Sequence, residues 1–215
     1  MNGIRQILWD WNGTLLNDVQ YAIDVRNRVF PDFGLPTITR SEYYEQFTFP
    51  VRTYYERAGV TDEIFDAVAH GWMAEYCRGF ATVPLYEDAR ATLGRFQEAG
   101  LSQSVLSATQ RDMLAEQLNQ FGLLPFFDHV LGLSDIYAKS KIAVGQAYLK
   151  ESAIPAENTL LIGDSLHDAE VAQALGIRCL LVTRGHQTAQ KLAQAGVPLA
   201  PTLAEAARRV LGGEI

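Results

Sequence analysis

A chain of 215 residues, 48% of them hydrophobic, can bury a core of its own, and its length suits one domain or one domain carrying an insertion. A net charge of −7 with scattered lysines and arginines excludes the basic footprint of a nucleic-acid binder. The start of the chain has no signal-peptide pattern, no apolar run could span a bilayer, and Cys77 and Cys179 lack metal-ligand spacing, so a cytoplasmic protein with two buried thiols is expected.

In chain order, the first predicted strand covers residues 4–9 and runs directly into Asp10, followed by Asn12 and the turn residues Gly13 and Thr14. More than ninety residues then pass before the next strand, far beyond an ordinary crossover, and their periodicity is helical in "NDVQYAIDVRNRVFPDFG", "RSEYYEQF", "VRTYYERAG" and "DEIFDAVAHGWMAEYCRGF". An inserted helical domain over residues 17–83 accounts for them, with the α/β core formed by 1–16 and 84–215. Tyr43, Tyr44, Tyr54, Tyr55 and Tyr76 fall in this insertion and are read as its aromatic packing. Arg52 and Arg57, which with Tyr54 could reach a ligand, are read as surface arginines.

After the insertion, "LYEDARATLGRFQEAG" reads as an amphipathic helix ending at a glycine cap. Further strands are predicted at 102–107, 128–132, 159–163 and 178–183. The runs "TLLIGD" and "IRCLLVT" are almost continuously apolar, as parallel strands covered on both faces must be. The fold class that follows is α/β: a doubly wound, Rossmann-like parallel sheet with an inserted α-helical domain.

Four places put polar residues at or just beyond the carboxyl end of a predicted strand, and in a doubly wound sheet those ends share one crevice. Asp10 is a candidate nucleophile or a helix cap; Gly13 and Thr14 form a turn whose amides suit an anion. Ser107 with the amide of Ala108 can bind a phosphoryl oxygen. A lysine in "YAKSKIAVGQ", either Lys139 or Lys141, can supply a fixed cation. In "LLIGDSLHD", Asp164 and Asp168 stand four residues apart at the head of a helix, placed to share a hard cation directly or through water; capping by Asp-Ser does not explain the second acid. His167, between them, is read as a helix-surface residue.

These residues, in this order and in these strand contexts, resemble the haloacid dehalogenase superfamily, in its phosphoglycolate phosphatase-like branch with a helical cap between the first and second motifs. The resemblance implies a phosphohydrolase acting on a small phosphorylated metabolite, with neither nucleic acid nor membrane as partner. In it Asp10 is phosphorylated, Ser107 and the lysine hold phosphoryl oxygens, and Asp10, Asn12 (through its backbone carbonyl), Asp164 and Asp168 hold Mg²⁺. For the lysine, ungapped spacing from Asp164 favours Lys139 and the helix entry "SKIAVG" favours Lys141, the preferred assignment. Asn12 departs from the pattern, because the phosphatases carry there a second Asp that protonates the leaving group and activates water. That departure leaves a phospho-ligand-binding or regulatory protein with little turnover as the alternative.

Overall fold

The computed structural model describes residues 3–134 and 141–215. The chain forms two compact units, Met1–Leu15 with Tyr86–Ile215, and Leu16–Leu85. Its elements are, in order, β1 (Gln6–Trp9), α1 (Val19–Val29), α2 (Arg40–Gln46), α3 (Val51–Arg57), α4 (Asp62–Gly79), α5 (Ala89–Glu98), β2 (Ser102–Gln110), α6 (Arg111–Gln120), β3 (His129–Leu133), α7 (Lys141–Glu151), β4 (Thr159–Gly163), α8 (Leu166–Leu175), β5 (Arg178–Val182), α9 (Ala189–Leu192), β6 (Leu199–Ala200) and α10 (Leu203–Leu211).

In the first unit every strand pairing is parallel, and the strand order is β3-β2-β1-β4-β5-β6. β1 lies between β2 and β4, with Trp9 in register with Val105 on one side and Ile162 on the other. This central position requires apolar side chains on both faces, and Ile7, Leu8 and Trp9 are fully buried. The buried indoles keep their hydrogen bonds: Trp9 Nε1 donates to Gln103 (3.0 Å) and Trp11 Nε1 to Gln117 (2.8 Å). Leu8, Leu106, Leu161 and Leu181, one from each central strand, pack with Val171 and Ala172 of α8. Strand order reverses at the β1/β4 pair, and Asp10 and Asp164 follow those two strands at their carboxyl ends, the place where ligands of doubly wound sheets bind.

Two expectations about strands change. β2 does not stop at Ser107 but continues to Gln110, because its pairing with β3 jumps from Leu106–Leu131 to Gln110–Leu133. The Ser107 hydroxyl accepts the Thr109 amide (3.1 Å), which draws the chain out of the ladder and makes a bulge. β6 was not predicted: two residues are too few for any periodicity to register.

In the helical unit, Thr39 and Glu42 cap α2 reciprocally, the Thr39 amide donating to the Glu42 carboxylate (2.7 Å). Its interior is aromatic: Tyr43, Phe47 and Tyr54 contact one another, Phe30 meets Tyr55 edge-on, and Trp72 stacks on Tyr76 with centroids 4.8 Å apart. Arg52 pairs with Glu56 and Asp62 at the surface, and Arg57 is exposed. Cys77 is exposed and Cys179 buried, against the expectation of two buried thiols. The reason is helical phase: Tyr76 points inward from α4, which turns its neighbour out. The two chain crossings lie side by side, Leu16 bridging Leu85 antiparallel and the Asn17 amide donating to Pro84 (2.9 Å). No helix among the described residues is long and apolar enough to cross a membrane.

Candidate active site

Asp10 prolongs β1 by one residue: its amide donates to the Ile162 carbonyl of β4 (2.9 Å), so its carboxylate leaves the sheet at a fixed height. The chain then turns, the Thr14 and Leu15 amides both donating to Trp11 O, and Gly13 takes the left-handed φ of +74°. A side chain at Gly13 would be strained there. Its Cβ would also stand 2.3 Å from Asp164 Oδ2 and 2.5 Å from His186 Cδ2. The turn is therefore packed directly against the β4 site. The Thr14 hydroxyl lies between the two acids, 3.1 Å from Asp10 Oδ2 and 3.4 Å from Asp164 Oδ1.

Lys141, at the start of α7, is buried and spans two carboxylates, with Nζ 2.8 Å from Asp10 Oδ1 and also bonded to Asp168 Oδ1. Lys139 lies outside the described residues. Asp168 also bonds the head of its own helix. Its other oxygen accepts from the amides of Asp164 (3.1 Å) and Ser165 (2.9 Å) and from the Ser165 hydroxyl (2.6 Å), closing a capping box on α8. Capping therefore does explain the acid one turn on, and the same carboxylate also bonds Lys141.

Asp164 is held differently. The His186 amide donates to its Oδ2, and a Cβ on Gly185 would lie 2.0 Å from that oxygen, so the backbone after β5 rests on the carboxylate. Gln187 Oε1 accepts the Leu166 amide (2.7 Å), tying the same loop to α8. These contacts between distant segments have no local sequence signal. Nor does the next one: the side-chain amide oxygen of Asn12, Oδ1, accepts from the Thr109 hydroxyl (3.0 Å), which itself accepts from Ser107 (3.1 Å). The β2 bulge thus orients Asn12, and Ala108 is half-buried within that bulge. His167 is partly buried and faces Glu170 (3.3 Å).

Charge decides what the cluster can hold. Asp10, Asp164 and Asp168, all buried, each present an oxygen within 4.8 Å of the others'. Burial pushes Asp10 up to about 6 even though Lys141 pulls against it. Asp164, with no lysine or arginine bonded to it among the described residues, is pushed by burial up to about 8. Burial also opposes the charge on Asp168, but Lys141 and Ser165 outweigh it and hold that carboxyl below its usual value. Lys141 is raised, since the two carboxylates overcome its desolvation. Three hard oxygen donors with one ammonium among them fit a divalent cation of the Mg²⁺ kind.

Comparison with known proteins matches residues 7–182 to the family model of haloacid dehalogenase-like hydrolases. The chain belongs to this family. Its curated relatives include the phosphoglycolate phosphatase of Synechococcus elongatus, 24% identical over 89% of this chain and 90% of that protein, and phosphoglycolate phosphatase 1 of Pseudomonas aeruginosa, 24% identical over 93% and 75%. Among solved structures, a haloacid dehalogenase-like family hydrolase from Streptococcus pneumoniae superimposes with a TM-score of 0.84 at 18% identity, covering 96% of this chain and 98% of that one. Protein tyrosine kinase A of Mycobacterium tuberculosis superimposes almost as well, with a TM-score of 0.82 at 22% identity over 97% and 98%. The haloacid dehalogenase-like fold therefore does not fix the chemistry, and the residues at the strand ends must.

Proposed function

We propose that this protein is a Mg²⁺-dependent phosphohydrolase that attacks a small phosphorylated metabolite through Asp10. The observation that carries the reading is the Asp10–Lys141–Asp168 chain beside Asp164 at the β1/β4 strand ends. Family and curated relatives make it a hydrolase of the phosphatase type. Asp10, Asp164 and Asp168 are assigned as the acids that would hold Mg²⁺, directly or through water, with the backbone carbonyl of Asn12. Bound there, the cation would offset the charge shared by the nucleophile and a phosphoryl group.

Lys141 on Oδ1 and Thr14 on Oδ2 stop the Asp10 carboxylate from rotating, which presents it for in-line attack. Its oxygen forms a bond to phosphorus as the bond to the leaving oxygen breaks, and water then cleaves the aspartyl phosphate, returning Asp10 and phosphate. Ser107, the Ala108 amide, Gly13 and Thr14 are assigned to the phosphoryl oxygens. The helical unit is assigned as the cap that selects the substrate. Because the relatives named above are phosphoglycolate phosphatases, 2-phosphoglycolate is the first metabolite to assay.

Asn12 shapes the rate. An amide cannot give up or take a proton, a contribution worth roughly 10² to 10⁴-fold in general acid–base catalysis. The wild type is expected to hydrolyse p-nitrophenyl and acyl phosphates far better than alkyl phosphates. Asn12→Asp is expected to raise turnover of alkyl phosphates more than that of p-nitrophenyl phosphate, since Thr109 can donate to the carboxylate as it does to the amide. Steady-state kinetics on both classes checks this. If Mg²⁺-dependent turnover is absent from both forms, the phospho-ligand-binding reading, which Asn12 favours, replaces the enzyme.

The raised carboxyls predict how Mg²⁺ binding depends on pH. With folded values above the unfolded value of about 3.9, Asp10 and Asp164 contribute stability below about pH 4 that is lost as pH rises through about 6 and about 8. Mg²⁺ must displace their protons at low pH, so it is expected to raise the melting temperature more at about pH 8 than at about pH 5.5. Thermal denaturation with Mg²⁺ and with EDTA measures the two shifts, and equal shifts contradict the assignment.

A further inference from the structure

The loop after β5 does more than connect elements: its backbone lies against Asp164, with the His186 amide on Oδ2 and no room for a side chain at Gly185. What fixes this backbone is a cluster built around the preceding residue, Arg184. Its guanidinium lies over the Tyr86 ring, with the central carbon 3.9 Å from the centroid. The same guanidinium bonds Asp88 Oδ1 at 2.5 Å. Tyr86 returns the contact, its hydroxyl donating to the Arg184 carbonyl at 2.7 Å. Asp88 is anchored in turn, its other oxygen accepting the Ala204 amide at the start of α10 (3.0 Å). Arg184 and Ala204 together hold the Asp88 carboxyl below its usual value although burial opposes them.

The cluster is built for geometry. Among the described residues Arg184 Nε is buried without a hydrogen-bond partner, so ring stacking and the Asp88 carboxylate hold the side chain rather than saturation of its donors. Tyr86 also carries the second connection, because its amide donates to the Leu15 carbonyl (3.0 Å), at the end of the turn that begins with Asp10. One tyrosine thus bonds the turn that carries Asp10 through its backbone and the loop that seats Asp164 through its hydroxyl.

We infer that Tyr86, with Arg184 and Asp88, is a positioning residue that registers the Gly185–His186 peptide on Asp164 and so sets the affinity of the acidic site for a divalent cation. The inference rests on the metal reading above, and none of the three residues is assigned to touch substrate or cation. Groups that orient metal ligands typically change metal affinity or activity by about 10 to 100-fold when removed.

Tyr86→Phe is the test, since it keeps the ring under Arg184 and deletes the hydroxyl that donates to the Arg184 carbonyl. The expected result is about a tenfold weaker Mg²⁺ affinity by calorimetry and a matching rise in the Mg²⁺ concentration that half-activates turnover. The KM measured at saturating Mg²⁺ should stay near wild type. Arg184→Lys, which keeps the charge and loses the stack, should weaken Mg²⁺ in the same direction. Amide hydrogen exchange at His186 in metal-free protein gives an independent readout: exchange should be faster in Tyr86→Phe than in wild type. Unchanged Mg²⁺ affinity together with unchanged His186 exchange overturns the inference. Wild-type protein that binds no Mg²⁺ defeats the metal reading instead, and His186 exchange then decides the positioning role alone.

Discussion

Asp10→Asn is expected to lower turnover of every phosphate ester by at least about 10⁴-fold while leaving the fold intact, because an amide oxygen carries no charge and is a very poor nucleophile. The substituted side chain can keep the existing contacts. Its oxygen can still accept from Lys141, and its NH₂ can donate to the Thr14 hydroxyl, where the carboxylate now accepts. Burial already raises the Asp10 carboxyl to about 6, so its charge near neutral pH opposes the metal-free fold. The variant should therefore unfold no more easily than wild type in EDTA at about pH 8. Turnover assays with chemical denaturation of the same preparation check both halves, and retained turnover would remove Asp10 from its assigned role.

Lys141→Met carries the second large effect. It deletes the ammonium between Asp10 and Asp168 and leaves two buried carboxylates facing each other. Breaking a buried ion pair from one side costs roughly 3–5 kcal/mol when the remaining charge cannot escape. Protonation is the escape, so the cost must depend on pH. In wild type, Asp168 has a lowered folded value: the stability it contributes is present above about pH 4 and lost as pH falls through that folded value. Without Lys141, burial moves the Asp168 carboxyl up, and the variant loses stability as pH rises. The gap between the two proteins should widen from about pH 5 to about pH 8 in EDTA and narrow when Mg²⁺ is added. Turnover should fall by about 10² to 10³-fold, the usual loss for a buried group that stabilises developing charge. A gap that is independent of pH would show that Lys141 is there for packing alone.

How much of this was legible depended on the range of each interaction. The central strands could be read because β1, β4 and β5 are buried on both faces and so spell continuous apolar runs. Asp10 stood out because an acid ending such a run needs a reason. The helices of the inserted segment could be read from their periodicity, whereas Cys77 was misplaced because its phase depends on which side of α4 packs inward. Asp168 was half-read: spacing put it near Asp164, but the bonds from Ser165 that cap α8 follow from the fold of that turn. Lys139 and Lys141 could not be told apart by counting, since two residues are within the uncertainty of a loop length. Thr109 on Asn12, and Tyr86 and Arg184 behind Asp164, were invisible, because each joins segments about a hundred residues apart through one or two atoms.

The most direct measurement is to mix the protein with Mg²⁺ and an acyl or aryl phosphate, quench in acid within the first turnover, and map any phosphoryl group by peptide mass spectrometry. One phosphoryl group is expected on Asp10 of the wild-type chain, persisting because Asn12 cannot activate the water that removes it. The same adduct should clear faster in Asn12→Asp and be absent in Asp10→Asn. Turnover with no adduct on Asp10 at any quench time, or an adduct that survives in Asp10→Asn, would contradict nucleophilic attack by Asp10.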